Sequence, residues 1–313
     1  MSVVTHRLYR VGRAPYSLWQ CPDRAPRGYR DDVYRYVIAD VFTDTALTGN
    51  PLAVLPDATG LPAALMQRIA REMNLSETTF VLPPEAGGDV RVRIFTPLGE
   101  LPFAGHPTFG TAVVLASAGA AGPELRMETG MGVVPFRFFG DRSGGALGAR
   151  MLQPIPVLEP YPRADELLDA LGTRSVLPIE VYRNGPRHAF AALPDEAALA
   201  ALRVDLRALA THDDLALNCF APTADPAVWR TRMFSPAYGV TEDAGTGSAA
   251  GPLALHLARH GRLPLGTPLT VRQGVEMGRP STIHALVEGT LDEVERVEVW
   301  GHAVLVAEGT LYV

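Results

Sequence analysis

The sequence contains no lysine: all 28 of the side chains counted as Lys or Arg in its 313 residues are Arg. That absence excludes a Schiff-base lysine for pyridoxal chemistry and the lysine of a phosphate-binding P-loop. Cysteine is scarce as well. Cys21 and Cys219 are too few and too far apart for a disulfide framework or a thiolate zinc grid, and they fit a reduced, cytoplasmic setting. No apolar run reaches the ~18–20 residues of a membrane-spanning helix, so no membrane partner is expected. Arg7, Arg10 and Arg13 have no apolar stretch behind them that would make a signal peptide. Positive charge is in deficit: a formal net charge of −6 offers no basic face to a nucleic acid. The Gly-x-Ser-x-Gly turn of a serine hydrolase is missing, and neither Gly-rich stretch has dinucleotide-fingerprint spacing. What remains, 47% hydrophobic and 20% charged, is a globular composition long enough for two domains.

One pattern is present twice. The first copy reads Arg93-Ile94-Phe95-Thr96-Pro97, then Phe103-Ala104-Gly105-His106-Pro107-Thr108 and a run of small apolar residues over 111–116. The second reads Arg232-Met233-Phe234-Ser235-Pro236, then Glu242-Asp243-Ala244-Gly245-Thr246-Gly247-Ser248 and a helical run over 252–259. Beyond each helix comes a further echo, Met127-Glu128-Thr129-Gly130 and Arg272-Gln273-Gly274. Such a duplication implies two similar halves whose helix N-termini face each other. The first amides of a helix lack intrahelical partners and carry the positive end of its dipole, while glycine lets a ligand approach the backbone. Two such ends in one cleft would hold a carboxylate without a cationic side chain. Two ordinary capped helix starts packed in the core would give the same pattern.

Residues 1–33 are rich in Arg and Pro and lack a period, as in a loosely ordered extension. Beyond them, strands are expected over 34–42 and 52–55 and an amphipathic helix over 62–73, with Leu65, Met66, Ile69, Ala70 and Met73 on one face. A strand over 79–82 follows, then a half-exposed one over 90–95 in which Val90, Val92 and Ile94 alternate with Arg91 and Arg93. A helix over 107–118 and a hairpin over 125–139 lead to a Gly-rich domain linker or loose turn at 140–148. The second half is read as helix 164–171, strands near 178–182 and 188–193, helix 195–202, a turn at 206–210, strand 214–221 and two strands about Gly301 and Gly309. Hairpins with one small-residue helix per half indicate an α+β protein of two domains, 34–147 and 148–313, the last strand returning to the first.

Few side chains are candidates for chemistry. Glu77, in Leu75-Ser76-Glu77-Thr78-Thr79, sits between a helix end and an apolar strand; it is either a buried structural carboxylate or one whose pKa burial raises for acid/base work. His106, at a helix start, is either a cap or a neutral proton relay. Asp243 and Ser248 are either helix caps or groups that pair with an amine and a carboxylate. His256 and His260 have the i, i+4 spacing of zinc ligands, but no Glu follows His256 and no third ligand is evident, so no metal is expected. His6, His188, His212, His284 and His302 stand alone and read as surface or satisfied histidines.

With these residues the chain resembles the PhzF-like family of phenazine biosynthesis. The matching stretches are Asp40-Val41-Phe42-Thr43 with Gly49-Asn50-Pro51-Leu52-Ala53-Val54, Asn74-Leu75-Ser76-Glu77-Thr78-Thr79-Phe80-Val81, both Gly-rich turns, and Gln273-Gly274 with Met277-Gly278-Arg279-Pro280-Ser281. The resemblance implies a duplicated diaminopimelate-epimerase-like fold: each half is a mostly antiparallel sheet wrapped around a central helix, with the active site between the halves. It also implies a homodimeric isomerase of secondary metabolism that needs no metal or organic cofactor and acts on a small, unsaturated, often cyclic amino-carboxylic acid. Glu77 would move the proton, with His106 and Asp243 beside it. Gly105, Thr246, Gly247, Ser248, Asn50 and Gln273 would bind the substrate. Related epimerases carry a thiol at each Gly-rich turn; Gly105 and Gly245 stand at those places here, which disfavours a two-thiol racemase. Ala244-Gly245 replaces the family's Pro-Ala, so Gly245 is expected to enlarge or re-aim the cleft. Phenazine precursors and pyrroline carboxylates are both candidate substrates. Two other readings stay open: an amino-acid racemase with Asp243 as second base, and a non-catalytic protein that binds small carboxylates.

Overall fold

The computed structural model describes residues 33–141 and 145–313, so the expected N-terminal extension lies outside the described residues except for Val33. The first part of the chain forms β1 (Val33–Val41), β2 (Asn50–Leu55), α1 (Ala63–Met73), β3 (Thr78–Leu82), β4 (Val90–Phe95) and β5 (Glu100–Leu101). Next come α2 (Gly105–Ser117), β6 (Glu124–Thr129), β7 (Gly132–Phe139) and β8 (Ala146–Leu152). The second part forms β9 (Val157–Glu159), α3 (Ala164–Leu171), β10 (Glu180–Arg183), β11 (Arg187–Ala192), α4 (Glu196–Ala200) and α5 (Leu206–Leu209). It ends with β12 (Ala216–Pro222), β13 (Val228–Ser235), β14 (Val240–Asp243), α6 (Gly247–Arg259), β15 (Leu269–Gln273), β16 (Ser281–Gly289) and β17 (Val294–Tyr312). The architecture is mixed α/β and dominated by sheet. Among the described residues, no helix is long and apolar enough to cross a membrane.

The order of the ladders recurs along the chain. In the first part β1–β2 is antiparallel, β2–β3 parallel, β3–β4 and β4–β5 antiparallel, β4–β6 parallel, and β6–β7 and β7–β8 antiparallel. From β10 to β17 the same series is read again, with β11–β12 and β13–β15 as the parallel pairs. Composition explains what each helix does within this frame. In α1, Met66, Ile69 and Ala70 are buried on one face, as in a surface helix, and Asn74 closes it in the left-handed conformation. By contrast, α2 is buried at every residue from Gly105 to Ala116, and α6 from Gly247 to Leu257. Neither buried run contains a Lys, Arg, Asp or Glu, so sheet can cover the helix on all sides without stranding a charge.

Two expectations are corrected here. The stretch at 140–148, read as a linker or a loose turn, is strand from Ala146: residues 142–144 lie outside the described residues, and β8 follows β7 as its antiparallel neighbour and pairs with β17 as well. The boundary drawn at 147/148 therefore falls inside a strand. The tail is one continuous strand of 19 residues, not two. Its glycines are required by neighbours and not by turns. A Cβ on Gly301 would lie 2.9 Å from the Phe42 ring, and one on Gly309 would lie 2.5 Å from the ring of Tyr36, its partner on β1.

Candidate active site

Helices α2 and α6 meet start to start. A Cβ built on Gly105 would come within 2.2 Å of the Ser248 amide nitrogen and 2.7 Å of the Gly247 carbonyl carbon. No side chain fits between the two helix ends, so both Gly-rich turns are required by the contact. Pro252 lies inside α6 and cannot donate to the Ser248 carbonyl four residues back; Asn184 Nδ2 donates to that carbonyl instead, at 2.8 Å. Gln153 Nε2 donates to the Gly247 carbonyl at 2.8 Å, so the first turn of α6 is braced from two sides. Phe42 locks the junction from below. It has φ 62°, is fully buried, packs at a tilt with its ring centre 4.9 Å from that of Phe109 of α2 and lies where a Cβ on Gly247 would be.

A cleft opens at this junction, and its wall includes Glu77, Gly105, His106, Asp243, Gly247 and Ser248 together with Thr246. Glu77 reaches it from the turn between α1 and β3, with 12% of its side chain exposed. Its Oε2 lies 3.4 Å from His106 Nδ1 yet accepts no hydrogen bond. Burial, and then the nearby Asp243 carboxylate, raise its pKa well above the ordinary glutamate value. His106 is 3% exposed, and burial lowers it to about 4 against the upward pull of Asp243 and the Pro51 carbonyl, so it is neutral near pH 7. It caps nothing: α2 has Ala104 at its N-cap and no side-chain cap. The local chemistry is thus a carboxyl group that holds its proton tightly, beside an uncharged imidazole.

Asp243, at the end of β14, does not cap α6 either, because Thr246 occupies that position. Asp243 Oδ1 accepts from Asn50 Nδ2 at 2.8 Å, and Oδ2 accepts from the Thr246 hydroxyl at 2.6 Å. Gln273 donates to the Asp243 carbonyl and the Thr246 hydroxyl, both at 2.8 Å, and accepts from the Thr246 amide at 3.1 Å. Asn50 and Gln273, expected to touch substrate, are not in the cleft wall; they hold the residues that are. Gly245 is corrected likewise. Its missing side chain would meet Ser281 Oγ at 2.6 Å and not the cleft, and the counterpart of Gly105 at the start of α6 is Gly247. Behind Asn50, Arg279 clasps the buried Asp40 carboxylate at 2.5 Å and donates to the Thr48 and Gly49 carbonyls.

Two histidine readings change. His188 is no surface residue: it is 1% exposed and lines the cleft at the head of β11. Its sequence context, Arg187-His188-Ala189-Phe190, is that of an ordinary strand. His256 and His260 do have a third neighbour, Glu180 on β10, whose Oε2 lies 3.0 Å from His256 Nδ1 and 3.3 Å from His260 Nε2. Tyr182 donates to the same oxygen at 2.5 Å and the Arg259 guanidinium lies 3.5 Å away, so the cluster is accounted for as an ion-paired network.

The profile of the family described as phenazine biosynthesis-like protein matches residues 39–309. A trans-2,3-dihydro-3-hydroxyanthranilate isomerase of Pseudomonas fluorescens is 54% identical over 280 residues, covering 89% of this chain and 99% of its own. Among solved structures, a PhzF-family phenazine biosynthesis protein from Bacillus anthracis superposes with TM-score 0.79 at 26% identity, over 90% of this chain and 100% of its own. A hydroxyproline epimerase from Agrobacterium vitis shares the fold alone, with TM-score 0.60 at 12% identity over 89% and 91% of the two chains.

Proposed function

The chain belongs to the phenazine biosynthesis-like protein family and is an isomerase, and from that premise we propose that it moves a proton between two carbons of a small cyclic, unsaturated amino-carboxylic acid. Glu77 is the acid/base. As carboxylate it removes a proton from an sp3 ring carbon, and the C–H electron pair becomes a new ring double bond while the neighbouring double bond shifts. The resulting acid, which can exchange its proton with solvent, then delivers a proton to the far end of the shifted system, so formula and oxidation state are unchanged. The observation that carries this reading is the unpartnered Glu77 Oε2 at the junction of two helix starts, with its pKa raised. A raised pKa makes the carboxylate a stronger base toward carbon and the acid a competent donor on the return.

The helix-start amides at Gly105, Gly247 and Ser248 hold the substrate carboxylate, which supplies the charge that the lysine-free cleft does not. Asp243 faces the amine and neutral His106 steadies the transferring proton. The relative from Pseudomonas fluorescens acts, by its name, on a compound with carboxylate, amine and ring hydroxyl, and we assign this chain a substrate of that class in secondary metabolism. The repeated ladder order supports two duplicated halves, each wrapped around α2 or α6, with β17 returning to β1. A homodimer in the cytoplasm, with no organic cofactor, completes the reading.

A racemase would need a free second base across the reacting carbon. Both Asp243 oxygens already accept hydrogen bonds from Asn50 and Thr246, which favours the proton shift. The test is incubation of trans-2,3-dihydro-3-hydroxyanthranilate in deuterated water. Wild type incorporates deuterium and isomerises the ring, and Glu77→Gln does neither above background. Equal incorporation by both would remove Glu77 from the reaction.

A further inference from the structure

Three buried polar atoms of the cleft residues have no hydrogen-bond partner: Glu77 Oε2, His106 Nε2 and His188 Nε2. The first two belong to the acid/base pair. His188 comes from the other repeat and has no role in the chemistry above, yet a buried unpaired N–H is costly to keep. Its proton can be placed. Asn218 Nδ2 lies 3.1 Å from the Ala216 carbonyl and 3.3 Å from the Ala189 carbonyl, which orients the amide with its N–H groups toward them. The same Nδ2 lies 3.3 Å from His188 Nδ1. An amide nitrogen cannot accept from a ring N–H, so Nδ1 faces it without a proton and the ring proton sits on Nε2. Burial drives His188 down to about 3 against the pull of Asp214, so the group stays uncharged.

We propose that His188 is a substrate-recognition residue whose Nε2–H donates to an uncharged oxygen, the ring hydroxyl of a hydroxylated cyclic amino acid. The assignment rests on the isomerase reading of this cleft. An uncharged donor suits an uncharged acceptor; the carboxylate has the helix-start amides, and the amine has Asp243. Asn218 is the positioning residue that fixes the tautomer. A site built to bond a hydroxyl rejects the analogue lacking it, because the buried donor is then left unpaired.

The experiment pairs His188→Phe, which keeps a ring and removes the donor, with His188→Gln, which restores an N–H. Binding of 3-hydroxyanthranilate and of anthranilate, flat stable counterparts with and without the hydroxyl, is read by calorimetry. Turnover of the hydroxylated dihydro substrate is followed in parallel. Wild type should bind the hydroxylated acid roughly 10-fold or more tighter. His188→Phe should abolish that preference, leave anthranilate binding within about threefold, and lower kcat/KM roughly 10- to 100-fold, mostly through KM. His188→Gln should recover part of both. Equal loss on both acids, or unchanged preference in a folded His188→Phe protein, overturns the assignment. Because binding is read without turnover, these outcomes stay distinct from failure of the isomerase reading, which shows as full activity in Glu77→Gln.

Discussion

Glu77 and Asp243 are two carboxyl groups in one small cleft, and the charge of Asp243 bears on Glu77. The Asp243 charge is the second cause, after burial, of the raised Glu77 pKa. With Glu77 as the base, kcat/KM falls on the acid side as Glu77 takes up a proton in the free enzyme. Replacing Asp243 with Asn removes the negative neighbour and eases ionisation. The acid limb of the pH–rate profile should therefore move to lower pH, while the maximum rate drops because the amine has lost its partner. A limb that stays put would show that another group titrates there. At this scale the sequence was informative where a residue and its context are contiguous: Glu77 between helix end and strand, His106 in its Gly-His-Pro turn. It was uninformative where the deciding partner is remote. Asn218, 30 positions away, decides which His188 nitrogen carries the proton, and Asn50 holds Asp243 from 193 positions away.

The two central helices carry the site on their first turns, so their spacing is the element-level variable. A methyl group on Gly105 would strike backbone atoms of Gly247 and Ser248, which cannot turn aside as a side chain can. Gly105→Ala should push the helix starts apart, costing about 1–3 kcal/mol of stability by overpacking. Activity should fall by more than that loss implies, on the order of 100-fold, because small misplacements of bound groups are expensive. Gly99→Ala, where a Cβ meets nothing within 4 Å, is the control. Thermal melts and kcat/KM of the two variants check this. Both helices were legible in the sequence as runs of small residues entered through glycine. The tail was not, since Gly301 and Gly309 read as breaks. Their small size serves Phe42 and Tyr36 across the sheet, a reason that a linear reading does not contain.

At the scale of the whole molecule, the buried histidines set the response to acid. His106, His188 and His256 are lowered to about 4, 3 and 4, chiefly by burial. Unfolded imidazoles take up protons below about pH 6.5, whereas these three do so only near their folded values. The stability linked to them is therefore present above about pH 6.5 and lost as the pH falls toward 4. Glu77 acts in the opposite sense, since its raised pKa weakens the fold as pH rises above the ordinary carboxylate value, but it is one group against three. The melting temperature should drop by roughly 3–5 °C between pH 7 and pH 5.5, the order that about 2–3 kcal/mol produces in a chain of this length. A flat or rising profile over that interval would contradict the neutral burial of these rings.

One feature of the sheet bears on how the chain is made. Strand β17 pairs with β16 and β8 through its first half and with β1 along its second, so β1, the first strand described, takes one neighbour from the last strand described. On the ribosome, β1 emerges well before β17 and stays open on that edge until β17 has been translated. The first repeat therefore cannot close as an independent unit during translation. Its completion waits on a contact of nearly the greatest sequence separation that the described chain allows, a topology that favours slow, late folding.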